Sequence, residues 1–246
     1  MSDVTRMWIE VIFNSVYLIT VWALVALMFM RRNTLDKRDW RVAKPVVQAF
    51  FLLALGDTGH VGFRNLAYAL GDLGASVSVF GFDLRFIGMG RLSTAFTVTG
   101  FYMLMVKVWK ERFDKKYNDF ALFLLAMGIF RFVLMLWPQN QWNNLVPPQP
   151  WSLFRNIPLI IQGLGVAYLI LRDAVVEDDR PFRWIGILIV ISYLCYLPVI
   201  LWVQRLPLLG MLMIPKTLAY LAIGVVAYLS LYRRADRKPL GAPAQG

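Results

Sequence analysis

Asp57, His60 and Arg64 interrupt an otherwise apolar run from Leu52 to Leu70. Their spacing of three and then four residues places all three on one face of a helix. Arg131 stands in a second apolar run, Phe120 to Trp137, and Lys216 in a third, Leu208 to Tyr232. A charge at bilayer depth costs at least about 2.5–3.5 kcal/mol on insertion scales, so such groups face a bundle interior and usually act there. Arginine forks suit carboxylates and phosphates. Asp57 and His60 together have the makings of an acid/base pair.

The elements that must hold these residues follow from composition. The 246 residues are 59% hydrophobic, with a mean hydropathy of +0.57, above the roughly 45–50% apolar content of soluble domains. Apolar runs near the roughly 20 residues needed to cross a bilayer lie at about 8–30, 46–70, 88–109, 119–137, 152–171, 184–203 and 208–232. The first of them, Ile9 to Met30, is longer than a signal-peptide core of about 7–15 residues. Arg31-Arg32-Asn33 follows it without a small-residue cleavage site, so it reads as a retained helix. Lys and Arg number six in 31–44, five in 107–119, three in 172–183 and four beyond 232, against only Arg6, Arg85, Arg91, Arg155 and Arg205 on the opposite side. The positive-inside rule then places the N-terminus outside and the C-terminus in the cytoplasm.

The expected fold is therefore all-α: an integral membrane protein of a bacterial-type plasma membrane. A single bundle of seven transmembrane helices covers 1–234, and a polar cytoplasmic tail, 235–246, is expected to be disordered. Trp8, Trp109, Trp137, Trp151, Trp184 and Trp202 fall at span ends, where an aromatic belt belongs. Val77 to Gly90 is apolar but glycine-rich and reads as a re-entrant or interfacial piece. Pro45 suits the first turn of the second helix, Asn118-Asp119 offers a cap to the fourth, and Pro198 and Pro215 predict kinks. Gly56 and Gly59 admit a close neighbour. The net charge of +11 lies in loops and does not imply nucleic acid. A lone cysteine, Cys195, excludes an intrachain disulfide, and a lone histidine excludes a multi-histidine metal site.

Depth separates the charges further. Asp57 lies twelve residues beyond Pro45, roughly 18 Å along a helix and near mid-membrane. Arg131 is equally far from Asp119, and Lys216 is roughly 14 Å from Pro207. Arg91, Arg155 and Glu10 sit nearer the outer face. The predicted ligand-binding set is Asp57, His60, Arg64, Arg91, Arg131, Arg155 and Lys216, lining a cavity that opens outward. Five cations against Asp57 and Glu10 leave an excess that an anion would complete, and Arg131 and Lys216 are its expected contacts. Asp57 should pair with Arg64, Arg131 or Lys216.

This reading makes the protein a receptor, sensor or carrier for a small anion or amphiphile with a carboxylate or phosphate head. Its partners are that ligand and membrane lipids. Three alternatives stand beside it. The charges can be purely structural ion pairs, with Arg91 and Arg155 snorkelling to lipid phosphates. An intramembrane lipid-modifying enzyme can use Asp57 and His60, although Thr94, Thr97 and Thr99 are poor nucleophile candidates because such hydroxyls back-bond to the helix. A transporter is the third, without the internal repeat common in that class.

Seven spans, an outside N-terminus and a lysine in the last span resemble the microbial rhodopsins. Arg91-Leu92-Ser93-Thr94 is similar to the Arg-Tyr-x-Thr stretch of their chloride pumps, and Tyr196 to Pro198 to their Trp-x-x-Tyr-Pro motif. The resemblance implies retinal as cofactor, with Lys216 as its Schiff base and Arg91 gating an anion. The chain departs from that pattern in having no carboxylate in the third span, Leu212 four residues before Lys216, Pro215 directly before it, and no tryptophan one turn before Tyr196. Outside this resemblance no cofactor is expected.

Overall fold

The computed structural model describes residues 3–72, 74–79, 82–144 and 146–235. Helix α1 runs from Asp3 to Met30, α2 from Lys37 to Ala69, α3 from Phe86 to Arg112 and α4 from Asp119 to Met135. A single turn, α5 (Trp151–Phe154), precedes α6 (Ile157–Val176), followed by α7 (Arg180–Trp202) and α8 (Met213–Ala235). Six segments are long and apolar enough to cross a membrane: Val11–Thr34, Lys37–Ala69, Phe86–Arg112, Trp151–Val176, Arg180–Trp202 and Pro207–Tyr232. They suggest an integral membrane protein. The fourth helix has 17 residues, about 25 Å, against a hydrocarbon core of about 30 Å.

The helices close into a ring. Each of α1, α2, α3, α4, α6, α7 and α8 packs on the next, α8 returns to α1, and α3 also touches α6 across the middle. The α2–α3 seam is the most intimate. A side chain at Gly56 would run into the Thr97 hydroxyl, and one at Gly59 into Ser93, so the close neighbour these glycines admit is α3.

Local chemistry sets the helix ends, and in several places they differ from the apolar runs. Asp36 caps α2 by accepting from the Asp39 amide at 2.8 Å. The helix thus begins two turns before Pro45, which lies buried inside it. Asn118 caps α4 through the Ala121 amide, also at 2.8 Å. The fifth run is not one helix: it breaks at Arg155–Asn156, just ahead of Pro158. Pro215 sits in the first turn of α8, after a 3-10 stretch at Pro207–Leu212, where a missing N–H interrupts nothing. Pro198 lies inside α7, which continues to Trp202. Where the sequence reads as a re-entrant or interfacial piece, residues 76–79 and 82–85 pair as antiparallel strands. Strand β1 (Ser76–Val79) pairs with β2 (Phe82–Arg85) in the register Ser76–Arg85 to Val79–Phe82. The tail beyond Ala235 and the Glu10 side chain lie outside the described residues.

The bundle has two unlike halves. At the end carrying the basic loops, Met28, Val46, Phe50, Phe101, Met105, Trp109, Leu169, Phe182, Ile189, Ile223 and Tyr232 form one continuous buried core. Its rim is closed by polar locks: Trp109 Nε1 donates to Asp173 at 2.7 Å, and Arg112 pairs with Asp179 at 2.7 Å. The half that carries the start of α1 holds Asp57, Arg64, Arg91, Arg131, Arg155 and Lys216.

Candidate functional site

All seven predicted residues line one cavity of about 420 Å³ in that second half. The three-four spacing on α2 brings Asp57, His60 and Arg64 to it together. Arg91 and Thr94 come from α3, Arg131 from α4, and Arg155 and Asn156 from the α5–α6 break. Tyr196 and Val199 are supplied by α7, and Lys216, Thr217 and Tyr220 by α8. Among the described lining residues five are basic and one, Asp57, is a carboxylate.

Three of the arginines are engaged with backbone and amide oxygens. Arg131, 2% exposed, donates from Nε to the Arg155 carbonyl at 2.9 Å. Its Nη1 reaches the Ala95 carbonyl at 3.0 Å and the Thr99 hydroxyl at 2.6 Å, and Nη2 reaches Asn156 Oδ1 at 3.4 Å. The Arg155 carbonyl is available because the helix breaks there. This arginine therefore pins α4 to α3 and to the break, partners on other elements that the sequence reading, which named it as a ligand contact, did not identify. Arg91 donates to the carbonyls of Trp142, at 3.0 Å, and Asn144. Arg155 lies 4.3 Å over the Trp142 ring and donates to Asn140 Oδ1 at 3.3 Å. Both turn toward the 138–150 loop.

Asp57 is not ion-paired as expected. Its Oδ2 accepts a hydrogen bond from Tyr17 on α1 at 2.8 Å, and among the described residues no lysine or arginine nitrogen lies within 4 Å of it. A phenol donor serves a carboxylate at this depth and joins α1 to α2. Thr58 repeats the link one residue on, accepting from Trp22 Nε1 at 2.9 Å. Arg64 Nε donates to the Tyr68 hydroxyl at 3.3 Å. The His60 Nδ1 atom is buried with no hydrogen-bond partner among the described residues, and no hydrogen bond joins it to Asp57.

Lys216 differs from the arginines. Its Nζ lies 4.2 Å from the centroid of the Tyr196 ring and 5.7 Å from that of Tyr220. Among the described residues it makes no hydrogen bond and no ion pair within 4 Å. Cation–π contact holds an ammonium over a ring face and leaves its N–H donors available. Beneath it the Tyr102 and Tyr220 hydroxyls meet at 2.7 Å, Tyr193 donates to the Leu159 carbonyl at 2.8 Å, and Tyr196 to Asn156 Oδ1 at 3.2 Å. This tyrosine floor separates the cavity from the packed core. Tyr17, Asn156 and Tyr220 are site residues that the sequence reading passed over. Tyrosine and asparagine in apolar runs carry no formal charge to mark them.

A loop roofs the cavity. Trp142 lines it, and its neighbour Asn143 accepts from the Arg85 amide at 3.1 Å and donates to the Asp83 carbonyl at 2.6 Å. Gln204, beyond α7, holds the far end through the Pro147 carbonyl at 2.8 Å. The loop lies so close on α3 that a Cβ at Gly88 would stand 2.5 Å from the Trp142 carbonyl oxygen. Among the described residues no three His, Cys, Asp or Glu side chains gather as a metal set. Comparison with protein-family models, with curated proteins and with solved structures finds no match.

Proposed function

We propose that this is a seven-span membrane protein that binds a small anionic amphiphile in the cation-lined cavity. Helix α4 closes the ring between α3 and α6, and its exposed Leu122, Phe123, Ile129, Phe130 and Val133 suit lipid contact. With the basic loops on the cytoplasmic side, the cavity lies in the outer half of the membrane. The protein is then a receptor, sensor or carrier at the plasma membrane. The head is a carboxylate or a phosphate.

The observation that carries this reading is Lys216. Its ammonium borders the cavity and has only ring faces as close partners among the described residues. An anionic head near Nζ would supply the missing acceptor, and a charge-assisted hydrogen bond of this kind contributes about 1.5–3 kcal/mol. The test uses purified protein in a neutral detergent with dodecyl phosphate and laurate as probes. Both should raise the melting temperature, and Lys216→Met should weaken their binding about 10- to 150-fold while the unliganded melt stays near wild type. If neither probe shifts the melt, or Lys216→Met binds them as wild type does, the reading fails.

A second reading rests on Lys216 and Asp57 bordering the same cavity. An amine that shares a cavity with a carboxylate suits condensation with an aldehyde such as retinal, which forms an imine and releases water, with Asp57 as counter-ion. Addition of all-trans retinal would then produce a red-shifted band that Lys216→Ala abolishes; a spectrum of free retinal alone rejects it.

A further inference from the structure

We infer that the ligand reaches the cavity sideways from the outer leaflet, between α1 and α8, and that its apolar tail occupies that seam. This inference rests on the anionic-amphiphile reading and names the source of the ligand: an acyl-chain amphiphile dissolved in the bilayer, not an anion arriving from water. Two independent observations lead to it. The aqueous mouth is crossed by the 138–150 loop, which Arg91 ties to α3, Arg155 to the α5–α6 break, Asn143 to the hairpin and Gln204 to the end of α7. A solute from water would have to break several of these ties.

The side wall is built differently. Along α1 the first buried residue among those described is Tyr17, and along α8 it is Ala219. Below these positions the two helices are well joined: Tyr17, Val21 and Ala54 form a buried cluster with Leu221 against it, and a Cβ at Gly224 would touch Leu24. Above them no described residue of either helix is buried, yet Phe13, Asn14, Met213 and Ile214 all line the cavity. Of these four, Phe13, Met213 and Ile214 are apolar and Asn14 is polar. Met213 is 36% exposed, more than any other residue lining the cavity. Methionine, unbranched and flexible, yields to a passing chain more readily than branched residues do. A head drawn to Lys216, on the same face of α8 one turn below Met213, leaves its tail in this seam.

The test uses the full chain in lipid nanodiscs with a fatty acid bearing a diazirine near its methyl end. After photolysis and mass spectrometry, label should concentrate on residues 13–17 and 210–217. An excess of unlabelled laurate should reduce it about tenfold, as should Lys216→Met, whereas the same concentration of acetate or inorganic phosphate should not. Competition in the wild-type chain keeps the result interpretable should the variant fold poorly. Laurate-sensitive label on the hairpin or on residues 138–150 would leave the binding reading standing and overturn the side route. Displacement by acetate or phosphate would overturn the membrane source. Label insensitive to laurate everywhere would overturn both the route and the binding reading.

Discussion

Replacing Arg131 separates a structural arginine from a ligand-binding one. Its guanidinium donates four hydrogen bonds to neutral acceptors on α3 and at the α5–α6 break. Hydrogen bonds inside a membrane protein average about 0.6 kcal/mol by double-mutant cycles, so the set contributes at least about 2.4 kcal/mol. Bonds from a charged donor to buried acceptors can exceed this, and breaking a buried charged network reaches about 3–5 kcal/mol. Arg131→Met keeps an apolar side chain in an apolar helix but removes the donor from the Arg155 carbonyl and the Thr99 hydroxyl oxygen, while the Ala95 carbonyl keeps the Thr99 hydroxyl as a donor. A loss of about 2–5 kcal/mol follows, or roughly 4–20 °C in a chain of this size at about 2–4 °C per kcal/mol. Arg131→Lys should recover less than half, because donors on a single nitrogen cannot reach both α3 and the break. The assay is a thermal melt by tryptophan fluorescence in detergent. If Arg131→Met melts within about 2 °C of wild type and loses probe binding instead, Arg131 is a ligand contact and its bonds to carbonyls contribute little.

Two further substitutions test the packing around the site. Gln162 is fully buried, and neither its amide oxygen nor its nitrogen has a partner among the described residues; Gln162→Leu should therefore raise the melting point, by up to the about 1–3 kcal/mol that an unsatisfied buried amide costs, and a fall would reveal a bridging water. Gly163→Ala places a Cβ about 2.0 Å from the Tyr193 hydroxyl, so it should destabilise by about 1–3 kcal/mol through overpacking, and a neutral melt would mean that Tyr193 moves freely off the Leu159 carbonyl.

Much of this arrangement is legible in the sequence because charge and spacing are legible. Hydropathy locates the helices, and a three-four spacing turns Asp57, His60 and Arg64 to one side whatever their neighbours. The basic loops predict that successive helices alternate, and the residues expected at matched depths do line one cavity. The partners are what the sequence hides. Counting cations against carboxylates assumes that only a carboxylate can serve a buried arginine, yet Arg131 and Arg91 are served by backbone carbonyls. Every residue has a carbonyl, and which ones are free depends on where a helix breaks. The break at Arg155–Asn156 frees one for Arg131, and the 138–150 loop offers two to Arg91. Nor does an apolar run distinguish Tyr17, which serves Asp57, from a tyrosine facing lipid. The hairpin is missed for a similar reason: Ser76 to Arg85 is too short and mixed to separate from a glycine-rich membrane segment.

The division of the bundle into a packed half and a hollow half has a physical cause. Phe50, Phe101, Trp109 and Phe182 interdigitate because apolar side chains attract at contact and lose nothing by close approach. Five basic side chains converging on one volume behave in the opposite way. Two unit charges about 8 Å apart repel by about 2 kcal/mol at an effective dielectric near 20, so such groups hold one another off instead of closing together. Backbone carbonyls restrain Arg91 and Arg131, and among the described lining residues the one carboxylate, Asp57, is already held by Tyr17. Under the proposed function an anion near Lys216 relieves that repulsion, since among the described residues Lys216 has no oxygen within hydrogen-bond distance. The open half and the sign of its proposed ligand then rest on the same five side chains.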